Sequence, residues 1–383
     1  MLKRLLLSLV LATLLAAPAQ AASLSKADRS RVEKLARSLG SKTSLVVTDT
    51  KGRTLAAVRP GTRRPLGSVT KLFTASAVIL GLGGPPRTEV ALSAPVGPDG
   101  TMDGSIVLRG GGDAGLDDAG LTRLRDAVVQ AGVKRITGPV IGDGSLFDAA
   151  TGGPATGGAF DPEFDGAVGA LTFEHGRATP GGPFQVSPAA AAAARFDDLL
   201  EAAGVVLPLG PVSATTPGLR PLATVDGDLN ALLRAMLTDS SASTAETLGK
   251  LLAARRTGRP GTSATAAATV QQVVRTLKVR PKLADSAGFV AGSQATARDV
   301  TRLLRVMDRR PSFRRALARP GNGTLRGRDL PSGCRAKTGT LRDAKATALA
   351  GICRGRVFAI LAVGPSAERA RQVQDSIARV LGT

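Results

Sequence analysis

Apolar residues recur at three- and four-residue spacing over 69–82, where Val69, Leu72, Phe73, Ala77, Ile79 and Leu80 form one stripe. That period predicts an amphipathic helix. The segment 25–39 has the same period, with Val32, Leu35, Ala36 and Leu39 on one face and Gly40 as a stop. Between them, the stretches 45–49 and 54–58 flank Lys51-Gly52 and predict a β-hairpin. Gly81, Gly83, Gly84 and Pro85-Pro86 then punctuate the chain. From 87 to 225 the texture changes to Gly, Pro and Ala, with strand-like pieces at 105–108 and 136–141 and helical stretches at 121–131 and 189–203. Helical periods return at 229–237, 245–256, 270–277 and 297–307. Strand runs follow at 334–338, 347–353 and 357–363, and a last helix at 367–381. A helix and hairpin early, then strands and a closing helix late, predict an α+β fold with one mixed sheet assembled from both ends of the chain. Residues 22–86 and 228–383 would make this discontinuous domain, with 87–227 inserted as one or two subdomains.

The first residues break the pattern. Lys3 and Arg4 precede an apolar run at 5–17 that is too short to span a bilayer, and Ala19-Gln20-Ala21 offers small residues for cleavage. Residues 1–21 therefore read as an export signal, and the mature protein is expected to be periplasmic, extracellular or wall-associated. No Cys follows the cleavage site to carry a lipid, and no later run is apolar enough to span a membrane.

Composition narrows the function further. With no Trp or Tyr and 10 Phe, the chain lacks the aromatic platforms on which single-stranded nucleic acids stack. The net charge of +21 suits either scattered solvated arginines or attraction to anionic wall polymers and lipid head groups. Export argues against nucleic acid as the partner. Arg309, Arg310, Arg314, Arg315 and Arg319 form the densest cluster and show no site pattern. Cys334 and Cys353 lie in strand-like stretches, and a disulfide between them is plausible in an oxidising compartment. Two cysteines and the single histidine, His175, do not make an ordinary structural zinc site. No other cofactor is expected. His175, between Glu174 and Gly176, reads as a surface residue, so a catalytic base must come from elsewhere.

Three motifs carry candidate chemistry. Gly110-Gly111-Gly112-Asp113-Ala114-Gly115 matches a dinucleotide fingerprint by pattern. An exported chain has little access to that cofactor, so the run is expected to serve a tight turn. Ser68 and Lys71 stand one helical turn apart at the head of the 69–82 helix, with a hydroxyl beside an amine at the positive end of the helix dipole. Lys337-Thr338-Gly339 follows about 270 residues later, at the end of a strand. Its Lys and Thr suit a carboxylate, and its Gly is expected to let a substrate backbone approach the strand edge.

With these motifs the sequence resembles the exported D-alanyl-D-alanine carboxypeptidase/endopeptidases among the class C penicillin-binding proteins. The resemblance runs over most of the mature chain. It includes 66–74 around Ser68-Val69-Thr70-Lys71, Leu108-Arg109-Gly110-Gly111-Gly112-Asp113, the stretch 138–147, Gly323-Thr324-Leu325 and 335–341. It implies a β-lactamase/transpeptidase-like domain, with the insert between the first and second motifs. It also implies a serine acyl-transfer enzyme that cleaves between the terminal D-alanines of peptidoglycan stem peptides and is acylated by β-lactams. Ser68 would be the nucleophile and Lys71 the base. The backbone N–H groups of Ser68 and Thr340 would form the oxyanion hole, and Lys337, Thr338, Gly339 and Thr340 would hold the terminal carboxylate.

The second motif of that family, Ser-x-Asn followed by Ala-Glu, aligns on Ser240-Ser241-Ala242 with Ala245-Glu246. Ser240 would relay a proton to the leaving amine, but the asparagine is replaced by Ala242. A further departure is Asp285-Ser286-Ala287-Gly288-Phe289, where the family has Asp-Gly-Ser-Gly-Leu. Two alternatives therefore stand beside the peptidase. One is a weakened or inactive member that binds wall peptides or a protein partner. The other is a β-lactamase-like hydrolase, which the large insert disfavours.

Overall fold

A computed structural model describes residues 23–216 and 218–383, so the export-signal segment at 1–21 lies outside the described residues. The fold is α+β and contains two five-stranded sheets. The main sheet runs Cys334–Leu341, Ala346–Cys353, Arg356–Val363, Thr43–Thr48, Thr54–Val58, so its strands come from both ends of the chain. Its pairing is antiparallel throughout. Parallel pairs occur in the second sheet, built from Ala223–Asp226, Arg87–Leu92, Ile106–Gly111, Val140–Asp143 and Val212–Ser213, and in the short pair Thr101–Met102 with Arg135–Ile136.

The main sheet is covered on both faces, which explains why its central strands read as unbroken apolar runs. Alternate residues go to opposite sides. Ala348, Ala350, Ala359 and Leu361 join a core with the helix Thr70–Gly81 and its helical neighbours. Leu349, Phe358, Ile360 and Ala362 pack on the other side with the helices Lys26–Arg37 and Ala367–Gly382. The second sheet has a core of its own, where Val90, Ile106, Leu108 and Val140 meet Leu121, Leu124, Phe196 and Leu200 from the helices Asp118–Gln130 and Pro188–Ala202.

Several boundaries and environments differ from the sequence-based expectation. The 69–82 segment is not amphipathic in its setting: Thr70 to Val78 are all buried. The helix lies between the sheet and other helices, so its Thr and Ser positions pack inward, and Ser76 returns its hydroxyl proton to the Leu72 carbonyl at 2.6 Å. The helix expected at 270–277 begins earlier, at Ser263, because Thr262 and Thr265 make a reciprocal cap. The glycine run does not open a helix. Gly110 and Gly111 end the strand Ile106–Gly111, and the next helix starts at Asp118 behind its own cap, Asp117.

Candidate active site

Ser68 sits in a single 3₁₀ turn, Gly67–Val69, that feeds directly into the helix Thr70–Gly81. Its Oγ lies 3.0 Å from Lys71 Nζ. Lys71 is completely buried, and its Nζ also donates to the Ala287 carbonyl at 2.7 Å. Burial lowers the lysine pKa to about 8, against the pull of the Asp285 and Glu246 carboxylates in the other direction.

The carbonyl that receives Lys71 is held from behind. Glu246 Oε1 accepts the N–H groups of Ser286 at 2.7 Å and Ala287 at 3.1 Å. Thr74 donates its hydroxyl to the Ser286 carbonyl at 2.7 Å. Asp285 accepts from the Phe289 N–H at 2.6 Å and from the Ser293 hydroxyl. Burial, followed by the charge of Asp285, pushes the Glu246 carboxyl up, and burial also pushes Asp285 up. Gly288 has a φ of +85°, and a β-carbon there would stand 1.9 Å from the Gly67 carbonyl oxygen. The 285–289 loop can therefore close on the serine turn only with glycine at this position.

The opposite wall is the sheet edge. Lys337, Thr338 and Gly339 lie inside the strand Cys334–Leu341 rather than at its end, and pairing continues through Thr340 and Leu341. Lys337 is completely buried, and its Nζ donates to Ser240 Oγ at 2.8 Å and to the Thr338 carbonyl at 3.0 Å. Burial, then the nearby Lys71 charge, holds its pKa well below that of an ordinary lysine, opposed by Asp239. Gly339 lines the cleft and is also pressed against the serine turn. A β-carbon there would meet the Leu66 carbonyl oxygen at 2.4 Å, so the glycine makes room for the protein's own serine turn. Thr340 is exposed, and its backbone nitrogen runs beside Gly67, whose β-carbon position is 3.0 Å away.

Ser240 adopts φ +73° just before Ser241, which caps the helix Ala242–Thr257 by accepting from Thr244 N–H. Ala242 follows with 2% exposure. A loop from the 87–227 segment covers this helix. Ser243 donates to the Asp165 carbonyl at 2.9 Å, and Lys250, wholly buried, donates to Asp148 at 2.6 Å and to the Ala150 carbonyl at 3.0 Å. From the same loop, the Phe164 ring packs on Phe289 with centroids 4.5 Å apart, and Phe289 lies 5.6 Å from Lys71 Nζ. His175 is half-buried rather than a surface residue, with Nδ1 3.5 Å from the Thr244 hydroxyl. Burial lowers its pKa.

Ser68, Ser240, Thr338 and Thr340 open on one cleft of about 690 Å³, which Arg326 and Arg371 also line. At the far end of the strand, Cys334 faces Cys353 across the ladder and the two are joined as a disulfide. Among the described residues no group of three or more His, Cys, Asp or Glu side chains is placed to hold a metal ion.

The profile of the D-Ala-D-Ala carboxypeptidase 3 (S13) family matches residues 30–180 and 169–383. The chain belongs to this family. No curated protein matches this S13 chain. Among solved structures it is similar to penicillin binding protein 4 (dacB) from Haemophilus influenzae. The identity is 20% and the TM-score 0.75, covering 90% of this chain and 97% of that one. It is also similar to Bd3459, a predatory peptidoglycan endopeptidase from Bdellovibrio bacteriovorus, at 14% identity and TM-score 0.56, covering 88% and 92%. A penicillin G-acylated form of Bd3459, in complex with an immunity protein, matches at 15% identity and TM-score 0.52, covering 88% and 91%. At these identities the likeness is one of fold.

Of the residues that the motif spacing named, Ser68, Ser240, Thr338, Gly339 and Thr340 line one cleft, and Lys71 and Lys337 lie buried behind the two serines. What it adds is the support behind Lys71. Glu246 entered the sequence reading only as an alignment anchor, and Phe164 did not enter it. The available signal for Glu246 was a lone carboxylate between Ala245 and Thr247, in a helix that is buried from Ala242 through Ala254.

Proposed function

We propose that this S13 chain is an exported serine peptidase that cleaves the bond between terminal D-alanines, and related cross-links, in peptidoglycan stem peptides. The observation that carries the proposal is the pair of buried lysines, each bonded to a serine hydroxyl, on the two walls of one cleft: Lys71 to Ser68 at 3.0 Å and Lys337 to Ser240 at 2.8 Å. In its neutral form Lys71 takes the Ser68 proton, and Ser68 Oγ attacks the carbonyl carbon. At pH 7 a lysine with a pKa of about 8 is neutral in roughly a tenth of molecules, enough to act as base. The N–H groups of Ser68 and Thr340 receive the oxyanion. Ser240, polarised by Lys337, passes a proton to the leaving amine, and water then releases the acyl group. Lys337, Thr338 and Thr340 hold the substrate's terminal carboxylate, while Gly339 keeps the strand against the serine turn. Residues 1–21 direct export, and 87–227 form an inserted domain whose 164–165 loop closes the back of the site. β-Lactams acylate Ser68 by the same route.

Ala242 favours a second reading, in which acylation survives and turnover is slow, leaving a protein that holds wall peptides. Release of free D-alanine from a stem pentapeptide, and of monomers from cross-linked dimers, separates the two. The peptidase reading requires release by the mature protein and none by Ser68→Ala. Stoichiometric acylation without multiple turnover would leave only the binding reading.

A further inference from the structure

The two edges of the main sheet border different features. The strand Cys334–Leu341 borders the Ser68 cleft, and the opposite edge strand, Thr54–Val58, borders a recess of about 310 Å³ beside the helix Ala297–Met307. Four cations line this recess: Lys51 from the hairpin turn and Arg298, Arg302 and Arg305 from the helix. Their spacing of four and then three puts the arginines on one helical face. Among the described residues no Asp or Glu lines the recess. The acids carried by the same hairpin and helix are engaged elsewhere, Asp49 with Arg53 at 2.6 Å and Asp299 with the Thr296 hydroxyl at 2.8 Å.

One further observation points to a ligand. Arg305 is laid across the hairpin turn, where a β-carbon on Gly52 would come 3.1 Å from its Nε. A half-buried guanidinium held in that way has little freedom left to lose on binding.

We infer that this recess binds a multiply charged phosphate group, such as a phosphate or phosphodiester unit of a soluble polyanion. Guanidinium forks match phosphate oxygens two at a time, and four uncompensated cations exceed what a single carboxylate would balance. A concave recess admits a discrete group, whereas a headgroup layer would meet only its exposed rim. Because the recess lies on the sheet edge away from Ser68, the chain could hold an anionic polymer there while its cleft remains open to peptide.

The test is a calorimetric titration of the full mature chain with tripolyphosphate at fixed ionic strength. It compares wild type with Arg302→Ala/Arg305→Ala and with Arg309→Ala/Arg310→Ala, which removes equal charge outside the recess. Saturable binding is expected in wild type, weakened about tenfold or more by the recess pair. The outside pair should bind as wild type does, and the penicillin acylation rate should be the same in all three. Thermal melts without ligand check folding, and Lys51→Ala, on an exposed turn, replaces the double variant if that variant does not fold. Equal weakening by both arginine pairs, or the absence of saturable binding, would overturn the proposal. Binding to phosphatidylglycerol vesicles without binding to tripolyphosphate would also overturn it.

Discussion

On one wall of the cleft Lys71 is fixed by Ser68 and the Ala287 carbonyl, which is itself held by Glu246 and closed down by Gly288. On the other wall Ser240 is bonded to Lys337, but the helix that follows begins with the methyl group of Ala242. The first wall draws its contacts from three segments of the chain: the serine turn, the 285–289 loop and the helix that carries Glu246. The second wall meets open cleft at Ser240, while Ala242 behind it is buried and offers no polar group. The difference suggests that acylation is protected by the packing of the core, whereas turnover rests on groups that can be replaced at less structural cost.

The most severe break in this contrast is expected from Lys71→Ala, which removes the base from the over-determined wall. Acylation by penicillin should fall by about 10²–10⁴-fold, with a folded protein by circular dichroism. A loss of less than tenfold would place the base elsewhere. On the weaker wall, Ala242→Asn should raise D-alanine release by about ten- to a hundredfold, the worth of one restored hydrogen bond of about 1–3 kcal/mol to substrate. An unchanged rate would show that this wall does not limit turnover.

A milder test uses pH. Burial lowers the Lys71 pKa to about 8, and in the proposed mechanism the neutral amine is the reactive form. The acylation rate should therefore climb about tenfold for each unit as pH rises toward that value and level off above it. A rate that falls over the same range would reverse the assigned role. The smallest effect on acylation is expected from Cys334→Ser with Cys353→Ser. Eight ladder pairs already hold the Lys337 strand, so the acylation rate should be unchanged while stability falls by about 2–3 kcal/mol. A large drop in acylation would make the disulfide part of the site's support.

Much of this arrangement was legible in the chain. The serine–lysine pair lies within one helical turn, and Lys337-Thr338-Gly339 is a contiguous triplet, so local spacing was enough to find both. The packing role of Gly339 was not legible because its neighbour, Leu66, is more than two hundred residues away in sequence and touches it only in the fold. A similar distance hid Gly288 against Gly67, and a separation of 40 residues was enough to hide Glu246 against the 286–287 backbone. The helix Thr70–Gly81 read as amphipathic because its period was correct, but Thr70, Thr74 and Ser76 are buried on its other side. Three of its polar side chains find partners inside: Lys71 at Ala287, Thr74 at Ser286 and Ser76 at Leu72. A hydropathy pattern records polarity and not whether the fold provides such partners.

The central claim is that Ser68 is an acylated nucleophile, and it is tested most directly by treating the mature protein with penicillin and mapping the adduct by peptide mass spectrometry. The account predicts one penicilloyl group on the peptide that contains Ser68, and none on the Ser68→Ala protein. An unlabelled wild type, or equal labelling of the Ser68→Ala protein, would contradict it.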